Sequence, residues 1–220
     1  MGKEIDLIRN YPRTKRDPEA RASSKTEEDR IIARKFDKDF FDGDRRYGYG
    51  GYSYNPRFWQ PVIPDFISHY SLDQSSSILD IGSGKGFMLH DFMEAIPGIK
   101  VRGIDISPYA IENSLEDVKP FQQVGDAKKL PFEDNSFDLA ISIVTLHNLE
   151  IEECGQSLRE IERVSRNAFI TLDAYSNEEE KAAMEAWNLT ALTVMHVDDW
   201  RDFFAQNGYK GDYYWFMPWG

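Results

Sequence analysis

From residue 61 onward, apolar positions follow two alternating rhythms. Short, nearly continuous apolar runs predict strands at Ser77–Ile81, Lys100–Ile106, Phe121–Val124, Asp138–Val144 and Ala168–Leu172. Segments with helical spacing separate them. One runs from the glycines after residue 81 to Ala95, and the next is Tyr109–Val118. A third covers 151–164, with Ile151, Cys154, Leu158 and Ile161 on one face. A short helix at Pro64–Tyr70 leads into the first strand. Helices at Glu178–Trp187 and Asp198–Gln206, the latter stopped by Gly208, precede a last strand at Asp212–Met217. Residues 189–195 fit either a strand or a loop. Strands that alternate with helices, several of them apolar on both faces, predict an open, doubly wound α/β fold. Ligands of such sheets lie beyond the carboxyl ends of the strands, at the switch point.

The first 60 residues have no such rhythm. Residues 1–23 are polar, contain Pro12 and Pro18, and read as irregular. A helix is expected over 24–41, capped by Ser24 or Thr26, with Ile32, Phe36 and Phe40 on one face. Residues 41–59 are rich in glycine and aromatic side chains and carry no period, which predicts a loop. The chain divides into an arm, 1–60, and a domain, 61–220.

Charge sharpens this division. The chain of 220 residues has a net charge of −12, yet the arm is +3 and the domain −15. Nine of the 14 arginines lie in the arm. So acidic a domain argues against nucleic acid as a partner. No apolar run has the length of a membrane span, and no signal-peptide core opens the chain, so a soluble cytoplasmic protein is expected. The single Cys154 excludes an intrachain disulfide framework and a cysteine-cluster metal site, and no metal is expected.

Candidate chemistry concentrates in residues 76–92, where a strand runs into Gly82, Gly84 and Gly86 and then directly into a helix. Glycines permit φ > 0 and let a ligand approach the backbone, and the helix start offers free N–H groups. The dinucleotide spacing G-x-G-x-x-G fails, because Phe87 stands at the third position, and the Walker A pattern fails as well. An oxidoreductase is disfavoured on that ground. Asp80, two residues before the first glycine, would repel a phosphate but suits a ligand carrying an amine. Asp105 closes the second strand, 19 residues after Gly86, where a carboxylate can accept ribose hydroxyls. Asp126 closes the third strand, and Phe137-Asp138 opens the fourth.

Asp-x-Gly-x-Gly-x-Gly, the acid after strand two, Gly-Asp-Ala after strand three and Leu-Pro-Phe-x-x-x-x-Phe-Asp entering strand four occur here in order. The ensemble resembles the class I S-adenosylmethionine-dependent methyltransferases, in particular the type 11 small-molecule group around ubiquinone/menaquinone methyltransferases. The likeness covers about residues 74–173, and more loosely 61–217. It implies a mostly parallel Rossmann-like sheet of about six or seven strands with helices on both faces. It implies S-adenosylmethionine as cofactor and methyl transfer to a small-molecule acceptor. Carried over, Asp80 and Gly82 lie at the methionine amino group, Gly84 and Gly86 let the backbone approach, and Ser83 between them also belongs to the cofactor-binding set. Asp105 takes the ribose hydroxyls and Ile106 flanks the adenine. Asp126 meets the adenine amino group, Ala127 offers its backbone, and Ile143 and Val144 lie near the sulfur. The chain departs from the family pattern after strand five, where one clear strand replaces the usual antiparallel pair.

His147, after strand four, is a candidate general base, and a structural histidine is the bland alternative. In the arm, Tyr47, Tyr49 and Tyr52 could close over the site as a lid, with Arg46 and Arg57 meeting a carboxylate or phosphate on the acceptor. The bland alternative is a packing segment that covers a sheet edge. Two rival functions remain open: methylation of a protein or peptide, and cofactor binding without methyl transfer.

Overall fold

A computed structural model of the chain describes residues 2–13, 25–49 and 53–216. Its centre is a parallel sheet. β1 (Ser77–Ile81), β2 (Lys100–Asp105), β3 (Gln122–Val124), β4 (Leu139–Ile143) and β5 (Ala168–Tyr175) lie in the order 3-2-1-4-5. β7 (Asp212–Phe216) runs along β5 from Phe169 to Asp173, and β6 (Met195–His196) meets Ala174 and Tyr175 at its end. Every described strand pair is parallel. β2 and β4 leave β1 in opposite directions, so the switch point of the sheet lies at the carboxyl end of β1.

Alternation along the strands serves two cores. Ile78, Leu139, Ile141 and Phe169 face α3 (Ile63–Tyr70) and α4 (Phe87–Ala95), which contribute Phe66, Leu89 and Phe92. Leu79, Ala140, Ile170 and Leu172 face α6 (Ile151–Val164) and α8 (Val197–Asn207), which contribute Leu158, Ile161, Trp200 and Phe204. Cys154 is buried in this second core, as its helix face requires. Trp200 Nε1 donates to the Asp173 carbonyl at 3.0 Å, so the largest buried ring also satisfies its polar atom.

Several elements depart from the sequence pattern for local reasons. The helix expected over 24–41 is two: α1 (Glu27–Ala33) and α2 (Lys38–Asp42). Phe36 at φ +49° breaks the run, and Asp37 caps the second helix through its side chain. Thr26 and Asp29 form a reciprocal capping box at the first, an arrangement whose loss costs about 1 kcal/mol. Ser24 lies outside the described residues. The helix expected to reach Val118 is only Pro108–Glu112 (α5), because the chain turns so that the Leu115 N–H donates to the Lys85 carbonyl at 3.2 Å. Residues 189–194 form a loop before β6, and the terminal antiparallel pair is replaced by parallel β7. α7 (Glu178–Trp187) is helical as read. The N-terminal segment extends the sheet at β7 through Glu4, with Ile5 donating to Tyr213 and Tyr213 to Lys3.

Candidate cofactor-binding site

At the carboxyl end of β1 the chain makes three left-handed turns, with φ of +80° at Gly82, +53° at Gly84 and +77° at Gly86. Other residues rarely hold such angles. Space closes off side chains as well: a Cβ on Gly82 would stand 2.2 Å from Thr145 Oγ1, and one on Gly86 2.5 Å from Val118 Cγ2. Gly86 then caps α4 without a side-chain bond, so the helix begins with unfilled N–H groups at the carboxyl end of the sheet. Gly82 and Ser83 donate to the Ile104 carbonyl, which ties the loop to β2. Gln122 on β3 donates to Ser83 Oγ at 2.8 Å and to the Gly84 carbonyl at 3.2 Å, holding the loop from the sheet edge.

Two acids face this loop. Asp105 is buried and accepts from Gly84 N–H and Ser107 N–H, each at 2.8 Å. Burial raises its pKa above the ordinary carboxylate range, against the pull of those two donors. Each oxygen keeps a second lone pair for a further donor. Asp80 is also buried, and among the described residues no donor reaches its carboxylate. Burial, then the charge of Asp105, push it up to about 7. A buried carboxylate without a partner is costly, and an ammonium group placed beside it removes that cost. A ligand with an amine at one end and vicinal hydroxyls further along suits this pair of acids.

The other predicted positions lie at the same end of the sheet. Ile106, after β2, is 54% exposed, an unusual state for isoleucine. Asp126, after β3, is half-buried; it accepts from the Lys128 N–H at 2.9 Å, and Lys128 Nζ lies 3.5 Å away while bonding Glu153 at 2.6 Å. Ala127 beside it packs on the core. Ile143 ends β4, and Val144 follows it at φ +46°, 37% exposed.

His147 is buried, and its Nδ1 accepts the Asp173 backbone N–H at 2.9 Å. The proton of the neutral ring therefore sits on Nε2. Burial lowers the ring to about 3. The carbonyl of the same residue accepts from Leu192 and Thr193, so His147 braces the loop before β6.

The arm docks over the glycine loop. Phe41 of α2 comes within 3.5 Å of the position a Cβ on Gly84 would take. Asp42 receives Lys85 Nζ at 2.6 and 2.7 Å and the Tyr109 hydroxyl at 2.7 Å. Ala33, Phe40 and Phe41 share a small core with Ala110 and Leu189. Tyr49 accepts the Leu189 N–H at 2.9 Å and stacks on Trp187. Tyr47 lies under the Arg46 guanidinium, which also faces Asp29 at 3.8 Å. Arg57 is exposed over the Phe58 ring. Tyr52 lies outside the described residues. The sequence pattern does not single out Gln122, Lys85, Asp42 or Tyr109. Their signal is weak: a polar residue opening a short strand and a lysine between two glycines.

The left-handed glycine loop and the two acids lie within the stretch of the chain that resembles a known family. Residues 79–168 match the family model described as a methyltransferase domain, of the type 11 kind. Over 70 residues the chain is 39% identical to the mitochondrial arginine-hydroxylase NDUFAF5 of Mus musculus, covering 31% of this chain and 20% of that one. Over 143 residues it is 30% identical to the tRNA (carboxymethyluridine(34)-5-O)-methyltransferase of Arabidopsis thaliana, covering 64% and 33%. Over 126 residues it is 31% identical to the demethylmenaquinone methyltransferase of Symbiobacterium thermophilum, covering 53% and 49%. The chain thus matches between a fifth and a half of the length of these relatives. Its fold is that of a chain in the Haloferax volcanii complex between the Trm112 methyltransferase activator and a methyltransferase. The TM-score there is 0.56 at 19% identity, over 89% of this chain and 77% of that one. Among the described residues no helix is long and apolar enough to cross a membrane.

Proposed function

We propose that the chain transfers a methyl group from S-adenosylmethionine to a small-molecule acceptor. One observation carries the reading: buried Asp80, which accepts no hydrogen bond among the described residues, precedes three left-handed glycines and feels the charge of Asp105. Asp80 would hold the amino group, Gly82, Ser83, Gly84 and Gly86 would line the methionine half, and Asp105 would take the ribose hydroxyls. Ile106 would flank the adenine, Asp126 and Ala127 would meet its edge, and Ile143 and Val144 would lie by the sulfur. When bound, the cofactor supplies a methyl group activated on a sulfonium centre. The residues of this chain align the acceptor and exclude water, which methyl transfer from a charged donor chiefly requires.

Phe41, Asp42 and Tyr49 make residues 27–49 the lid of this site in our reading, clamped through Lys85 and Tyr109. His147 takes no proton, because its one basic nitrogen is engaged and buried. Arg46 and Arg57 have other partners, so nothing in their placement supports an anionic acceptor. The small-molecule assignment leans on the demethylmenaquinone methyltransferase likeness, and the tRNA enzyme makes RNA the competing acceptor. The domain's charge of −15 weighs against RNA.

The test is incubation of purified protein with methyl-labelled cofactor and, separately, a metabolite extract, total RNA and total protein. Label in the extract is expected. Label in RNA or protein alone refutes the small-molecule reading, and cofactor binding without turnover favours a binding protein.

A further inference from the structure

Val144 is the one described β-branched residue in the left-handed region, at φ +46°. A β-branched side chain holds such an angle only when its surroundings enforce it. The enforcement comes from β5. The Val144 N–H donates to both the Thr171 carbonyl, at 3.1 Å, and the Thr171 hydroxyl, at 2.9 Å. Thr171 is 1% exposed and pairs in register with Ile143, so its hydroxyl is fixed under the turn. The turn in turn aims Thr145. Its side chain occupies the space above Gly82, with Oγ1, Cγ2 and Cβ all within 2.8 Å of where a Cβ on Gly82 would lie. Thr145 Oγ1 is itself anchored on the Ile143 carbonyl at 3.0 Å. A continuous path thus runs from a hydroxyl on β5, through a strained turn after β4, to the first glycine of the loop beside Asp80.

We infer that Thr171 is a positioning residue for the cofactor. Its hydroxyl keeps Val144 left-handed, Thr145 seated on Gly82, and the glycine loop in its binding shape. The inference rests on the proposed cofactor reading and adds to it a residue that does not line the site. An ordinary strand threonine would contribute only to packing, and valine would replace it without effect on ligand binding.

The experiment is calorimetric titration of S-adenosylhomocysteine into wild type, Thr171→Val, Thr171→Ser, Thr145→Ala and the double variant Thr171→Val/Thr145→Ala. Thermal unfolding is followed in parallel. Valine keeps the shape and the strand preference of threonine and removes only the hydroxyl. The dissociation constant of Thr171→Val is expected to rise about tenfold, the order set by one lost hydrogen bond. Thr171→Ser should restore wild-type affinity. Thr145→Ala should weaken binding to a similar degree, and the double variant should be no weaker than either single one, since both act through one path. Should Thr171→Val fail to fold, the Thr171→Ser and Thr145→Ala results decide. Wild-type affinity in Thr171→Val or Thr145→Ala, losses that add in the double variant, or failure of serine to restore binding would overturn the inference. A wild-type chain that binds no S-adenosylhomocysteine would instead refute the cofactor reading beneath it.

Discussion

Replacing Asp80 by Asn separates the demand of the ligand from the demand of the fold. In the ligand-free protein the carboxyl is held at about 7, against 3.8 for the ordinary group. That displacement of about three pH units corresponds to about 4 kcal/mol. The sign follows from linkage. Between pH 4 and 7 the folded state keeps a proton that the unfolded state has released, so this stabilising contribution is full below about pH 4. It is lost as pH rises to about 7. His147 acts in the opposite direction over part of the same range, because burial holds it at about 3. The bare pH curve of the wild type is therefore uninformative, and the difference between wild type and Asp80→Asn isolates the carboxyl. Between pH 5 and pH 8 that difference should move by about 2.7 kcal/mol in favour of the asparagine variant. Denaturant unfolding at the two pH values measures it. Asparagine should also weaken S-adenosylhomocysteine binding by about 100-fold or more, since an ammonium group loses its buried partner. Identical pH dependence in the two proteins would refute the placement of an unpartnered, buried acid at this point.

Three further outcomes follow from other contacts. Gly86→Ala places a Cβ 2.5 Å from Val118 and forces alanine to φ +77°, so thermal unfolding should show a loss of about 2–3 kcal/mol and titration a loss of cofactor binding. Asp42→Asn removes the charge that Lys85 meets at 2.6 Å, and limited proteolysis should cut residues 27–49 several-fold faster while the sheet stays resistant. His147→Gln keeps an acceptor for the Asp173 N–H but cannot titrate. Unfolding between pH 5 and 6.5 should lose up to about 1.36 kcal/mol per pH unit of acid sensitivity relative to wild type.

What the sequence pattern conveys and what it misses divide along physical lines. Strand positions were legible because parallel strands covered on both faces are continuous apolar runs, as in Leu139–Ile143. The glycine loop was legible because Gly82, Gly84 and Gly86 each meet a backbone demand that few residues satisfy. Contacts between distant segments were not. Asp42 and Lys85 are 43 residues apart, and nothing local announces that they touch. The break at Phe36 was hidden because Phe36 and Phe40 keep their edge-to-face contact across it, so the helical spacing persists without the helix. His147 shows the opposite limit: its position after β4 suggested chemistry, while its burial and the Asp173 N–H assign it to structure. Tyr49 was read as a lid residue, and it does join the arm to Leu189, yet neither partner could be named from the chain alone.

The most direct measurement is the binding of S-adenosylhomocysteine to the wild-type chain by titration calorimetry, with a nicotinamide dinucleotide as the contrast. One molecule of S-adenosylhomocysteine should bind per chain, more weakly as pH falls below about 7 where Asp80 takes up its proton, and the dinucleotide should not bind. Absence of S-adenosylhomocysteine binding, or binding of the dinucleotide in its place, would contradict the cofactor reading.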